Sequence, residues 1–116
     1  MGLRQAHLTS GQTAVGKSNP KQWASASSGT MTIEVFFSVA AGVVCTALVI
    51  DLEGSITGLN YFALASHTLT ATELTAKCCM FHVVDKPIKW IESNITTLTQ
   101  TGVGDVSVTV AALSTD

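Results

Sequence analysis

A chain of 116 residues is the size of one domain with a modest appendage. Lys and Arg number 6 against 8 Asp and Glu, a net charge of −2. This excludes a basic reader of nucleic acid, whose affinity rests on cations neutralising phosphates, and equally an acidic disordered tail. Charged residues form only 12% of the chain and hydrophobic residues 47%. Such a chain can build a core but carries few charges to solvate its outside, so much of its surface is expected to meet other protein.

Residues 1–30 are rich in Gly, Ser, Thr, Gln and Ala and hold no lasting helical or strand period. They read as an extended N-terminal arm that orders only against something else. Its scattered apolar residues, Leu3, Leu8, Val15 and Trp23, are the candidate partner contacts. Met1 to Ser10 lacks the apolar run of a secretory signal, and no run of about 18 apolar residues follows, so no membrane partner is expected.

Residues 31–116 read as a β-sandwich domain. Thr32–Val39 alternates strictly, with Ile33, Val35, Phe37 and Val39 on one face. After a turn at Ala40–Gly42, Val43–Glu53 forms a longer strand that turns Val44, Leu48, Ile50 and Leu52 to one side. Gly54–Asn60 is a glycine-bracketed connection. Tyr61–Ala65 is a short strand that His67–Thr70 extends, and Ala71–Ala76 is the one helical turn. Lys77–Asp85, Ile88–Thr97 and Val106–Leu113 complete six strands, with Pro87 at a strand start, where its missing N–H is tolerated. The pattern predicts an all-β fold: a small antiparallel β-sandwich, jelly-roll or immunoglobulin-like, with the arm attached.

Three chemistries are tempting. Gly11–Ser18, reading GQTAVGKS, fits the phosphate-cradling G-x-x-x-x-G-K-[ST] pattern. The pattern works only between a buried strand and a helix, and Asn19-Pro20 directly after it disfavours a helix. Cys78, Cys79 and His82 have metal-ligand chemistry, and His67 and Cys45 could join them. On a strand, however, Cys78 and His82 face away from Cys79, so the three do not converge. Acids are few and none sits beside a nucleophile in a recognisable motif. Hence no catalytic residues, no metal and no cofactor are expected, and the chain is not read as an enzyme. The cysteines, odd in number and in apolar company, are expected to be reduced and poorly reactive. Trp23, Tyr61, Phe62 and Trp90 could make a sugar platform, but Phe62 and Trp90 are expected in the core, and Trp23 reads as an anchor into a partner.

Leu48–Leu64, reading LVIDLEGSITGLNYFAL, resembles an L-E-G-S-x-D-G-x-N-W-F-x-L signature of small β-sandwich proteins on tailed-bacteriophage virions. Phe81–Ile91 and Asn94–Thr99, followed by the glycine turn and Val/Thr strand of Gly102–Val110, are similar to the same group. The sequence departs from the pattern at Thr57, where an Asp is expected, at Tyr61, where Trp is common, and at Glu92, where a basic residue is expected. The resemblance implies a structural virion protein made in the host cytoplasm. Within that class it favours a capsid decoration (cement) protein binding the major capsid protein or another virion protein, as a homo-oligomer with a trimer preferred. A neck or tail component and a carbohydrate-binding module are the alternatives.

Overall fold

The computed structural model describes residues 3–23, 31–84 and 88–115, with the side chains of Leu3, Arg4 and Thr115 outside the description. Nine strands and one helix occur among these residues, and two antiparallel sheets face each other as a sandwich. The first sheet has the order β1-β9-β4-β7, from Leu3–Gln12 (β1), Val106–Thr115 (β9), Met31–Val39 (β4) and Cys78–Val83 (β7). The second has the order β2-β8-β5-β6, from Gly16–Lys17 (β2), Trp90–Thr101 (β8), Val44–Ser55 (β5) and Phe62–Thr68 (β6), with Lys21–Gln22 (β3) also on β8.

Alternation explains the core. Ile33, Val35 and Phe37 of β4, Leu48, Ile50 and Leu52 of β5, Ile91 and Ile95 of β8, and Val106, Val108 and Val110 of β9 are buried between the sheets. Each such side chain contributes roughly 1.5–3 kcal/mol by leaving water. One expectation fails at Val44, which is 59% exposed while Cys45 is buried. The register between β5 and β8 slips between Cys45 and Ala47. This bulge spends one extra residue and reverses the side-chain parity, so Cys45 and Leu48 share the inner face three positions apart.

The helix Ala71–Ala76 (α1) carries the strongest local signal in the chain. Thr70 caps it, its hydroxyl accepting from the Glu73 amide while the Glu73 carboxylate accepts from the Thr70 amide, a reciprocal capping box. Lys77 ends the helix in the left-handed region with φ of 63°. This single turn and a half carries the chain from the edge of the second sheet (β6) to the edge of the first (β7).

The expected arm is corrected by the ladder. Residues 3–12 pair along β9 in the first sheet, and residues 16–17 and 21–22 pair with β8 in the second. The segment is therefore part of the sandwich and not a separate unit. Its lack of period has a physical cause: β1 slips register between His7 and Thr9 and again before Gln12, so no run of alternation survives there.

Candidate functional site

The four expected contact residues divide. Leu8 is 4% exposed and Trp23 1%, both packed in the common core. The Trp23 indole N–H donates to the Ser114 hydroxyl at 3.0 Å and its amide to the Lys89 carbonyl, which ties both sheets at one end of the molecule. Neither residue is available to a partner; their burial in the chain's own core corrects the reading of Trp23 as an external anchor. Val15 is 56% exposed, and the Leu3 side chain lies outside the described residues.

The stretch LEGSITGLNYF turns out to be a folding unit with an apolar tip. Leu52 enters the core, and Gly54 leaves no room for a side chain, since a Cβ there would meet Leu64 at 2.7 Å and Ile88 at 3.0 Å. The Ser55 hydroxyl accepts from the Gly58 amide at 2.9 Å and closes the turn. Gly58, at φ of 82°, lies against the Trp90 indole, 3.1 Å from where a Cβ would sit. This turn exposes Ile56 (70%), Leu59 (83%) and Phe62 (68%). Phe62 was expected in the core; it starts β6 opposite Gly54 at the end of the β5–β6 ladder, where it stands open to solvent. A cluster of large apolar side chains on one loop is the kind of feature that marks a binding surface.

Lys17 of the GQTAVGKS stretch has a different role from a phosphate ligand. The stretch forms the end of β1 and then β2, with the Gln12 side-chain amide donating to the Ala14 and Gly16 carbonyls. Strand β2 replaces the helix that a phosphate cradle requires. The Lys17 ammonium lies 3.3 Å from Glu53 Oε1 and 3.6 Å from Glu92 Oε2. These two acids face each other directly across the β5–β8 ladder, and their side chains are only 12% and 5% exposed. Burial pushes the Glu92 carboxyl up to about 7, helped by the hydrogen bond to Glu53 and partly opposed by Lys17. Burial pushes Glu53 up too, but hydrogen bonds from Glu92, Asn94 and Lys17 and the Lys17 charge outweigh it and hold Glu53 below the usual carboxylate value. Below a pH of about 7 the pair therefore shares one proton, held on Glu92.

A second cluster lies where α1 joins the sheet edges. His67 Nε2 is 3.0 Å from Glu73 Oε1, and donor atoms of His67, Glu73 and Cys79 all lie within 4.8 Å of one another. The His67 ring stacks on Phe81 across the two sheets, with centroids 5.3 Å apart and planes 13° from parallel. Cys79 is buried, which pushes its thiol up to about 12, with the Glu73 charge adding to the effect. Strand alternation does send Cys78 and His82 outward and Cys79 inward. Sequence reasoning missed this cluster because it weighed β7 alone; the even spacing of His67, Glu73 and Cys79 around a helical turn was the available signal. Cys78 is exposed, which corrects the expectation that apolar neighbours shield all three thiols; Cys45 is buried, which raises its pKa.

Of the four aromatics weighed for a sugar platform, Trp23 is in the core, Trp90 and Tyr61 are half-buried, and Phe62 alone is largely open. Asn94, first residue of an Asn-Ile-Thr sequence, donates its amide to Glu53 Oε2 at 3.3 Å.

No family model and no curated protein matches the sequence. The fold is similar to the crystal structure of SPBc2 prophage-derived protein YomS, with a TM-score of 0.53 and 10% identity over 97% of this chain and 93% of that one. A structure of infectious bursal disease virus, Gx strain, aligns with a TM-score of 0.43 and 14% identity over 97% of this chain and 32% of that one. The likeness to YomS, which spans nearly the whole of both chains, is one of fold: an all-β sandwich of two antiparallel sheets.

Proposed function

We propose that this chain is a structural protein of a tailed-bacteriophage virion, and within that role a capsid decoration protein that binds the major capsid lattice. The observation that carries the reading is the apolar loop, where Ile56, Leu59 and Phe62 stand open at 70%, 83% and 68% on a chain with only 12% charged residues. A freely diffusing monomer tends to cover such groups or surround them with charge. Two further features support it: the resemblance of the sequence around this loop to virion sandwich proteins, and the end-to-end fold likeness to a prophage-derived protein.

The mechanism is one of repetition. A homo-oligomer, with a trimer preferred, presents several copies of one apolar loop to a lattice that repeats its own receiving surface. Each further contact then forms at high effective concentration, and avidity replaces single-site affinity. Burying one Leu or Phe is worth roughly 1.5–3 kcal/mol, so a few such residues per contact suffice once several contacts act together.

The test uses phage shells from a strain deleted for this chain. The purified protein is expected to co-sediment with those shells up to a ceiling set by the lattice, and replacing Leu59 and Phe62 together by Ser should abolish this while the thermal transition stays in place. A small fixed number of copies per particle would place the chain in the neck or tail. No association with shells or with purified virions would refute the virion reading altogether.

A further inference from the structure

We propose that His67, Glu73 and Cys79 form a binding site for a single zinc-class transition-metal ion that clips the two sheets together at their open edge. The three donors are an imidazole nitrogen, a carboxylate oxygen and a thiol sulfur, the set that zinc takes and that calcium and magnesium, which want oxygen throughout, do not. Each comes from a different element: His67 from β6 at the edge of the second sheet, Cys79 from β7 at the edge of the first, and Glu73 from the helix that connects them. An ion held by all three would join both sheets where neither has a further strand among the described residues.

The geometry is close to what an ion needs. All three donor atoms lie within 4.8 Å of one another, with the nitrogen and oxygen 3.0 Å apart. Tetrahedral zinc with bonds of about 2.0–2.3 Å sets its ligand atoms roughly 3.3–3.7 Å apart. The His67–Glu73 pair must open by a few tenths of an ångström and the Cys79 sulfur must close in, changes within the reach of side chains.

Two of the ligands are already positioned by neighbours, as ligands of metal sites generally are. Stacking on Phe81 fixes the plane of the His67 ring, and the Thr70 amide donates to Glu73 Oε1 at 2.9 Å. Cys79 supplies the buried third ligand, with no side-chain hydrogen bond among the described residues to be broken. Binding replaces the S–H bond with a sulfur–metal bond and releases that proton to the buffer, while His67 binds as neutral imidazole and Glu73 as carboxylate. With His67 and Glu73 each about one-quarter exposed, the fourth position opens to solvent and takes a water molecule.

The test is a titration of the full chain, under reducing conditions, with cobalt(II) as a visible stand-in and zinc as competitor. The expected result is a thiolate-to-cobalt charge-transfer band that saturates at one equivalent and is displaced by zinc but not by calcium. Cys79→Ser should remove the band and Cys78→Ser should leave it intact. His67→Ala should weaken binding at least tenfold, and zinc should raise the thermal transition of the parent chain but not of this variant. Absence of a saturable band in the parent chain would overturn the proposal even if every variant failed to fold. So would a band that survives Cys79→Ser or is lost in Cys78→Ser, since the exposed thiol would then be the ligand.

Discussion

Replacing Glu92 by Gln should stabilise this protein at neutral and higher pH, although it deletes a buried charged group. The Glu92 side chain is 5% exposed and lies opposite Glu53, with the Lys17 ammonium 3.6 Å from Glu92 Oε2. Its carboxyl, pushed up to about 7 mainly by burial, carries the shared proton. An acid with a raised folded-state pKa favours folding most when both states are protonated, below the ordinary carboxylate value. That advantage declines as pH climbs toward about 7 and stays lost above it. A rise of this size corresponds to about 3 kcal/mol between the two limits. Lys17 can move closer to a doubly ionised pair, so the expected gain for Glu92→Gln is about 1–3 kcal/mol at a pH of about 8, or several degrees in the melting temperature. The Gln amide can donate to Glu53 much as the protonated carboxyl does, so at a pH of about 4, below the ordinary carboxylate value, the two proteins should be equally stable. Glu53 has the opposite sign: its lowered pKa contributes stability above the ordinary carboxylate range that is lost as pH falls through its folded value. Urea melts of both proteins at the two pH values decide the matter. A parent chain equally stable at both, or a Glu92→Gln variant that is weaker at the higher pH, would refute the shared-proton account.

Trp23→Ala should cost about 3–5 kcal/mol, because it empties a fully buried site and leaves the Ser114 hydroxyl without its donor; a loss below about 1 kcal/mol in urea would show that the site lies outside the core. Removing residues 1–12 takes β1 from the edge of β9 and Leu8 from the core, so the truncated chain should lose its cooperative thermal transition or show it shifted down by well over ten degrees. A truncated chain that melts within a few degrees of the full one would restore the free-arm reading. Gly58→Ala forces a side chain into a left-handed backbone and against the Trp90 ring, and should cost about 1–3 kcal/mol with a change in Trp fluorescence; an unaltered melt and spectrum would contradict the packing described.

The strands from Met31 onward were legible because their period of two is unbroken over most of their length, and α1 because its cap and its Glu are three residues apart, as a capping box demands. The N-terminal strands were not, for the opposite reason: bulges break the alternation of β1, and β2 and β3 are two residues each, so Leu8 and Trp23 look like isolated apolar residues until β9 and β8 supply their partners. Pairing is a non-local property. The same holds for chemistry: Glu53 and Glu92 meet because the register of β5 on β8 sets them opposite, and His67, Glu73 and Cys79 meet because a helical turn folds two sheet edges together. The scarcity of charge gains force from this arrangement. Glu53 and Glu92 are withdrawn into a largely buried pair beside the exposed Lys17, so the charge left to solvate the outside is smaller than the composition suggests. Leu8 and Trp23, two of the four expected partner contacts, are consumed by the chain's own core, whereas Ile56, Leu59 and Phe62 remain uncovered. An apolar loop on a charge-poor sandwich has a free-energy reason to be covered, and in the proposed role a repeating lattice would cover every copy at once.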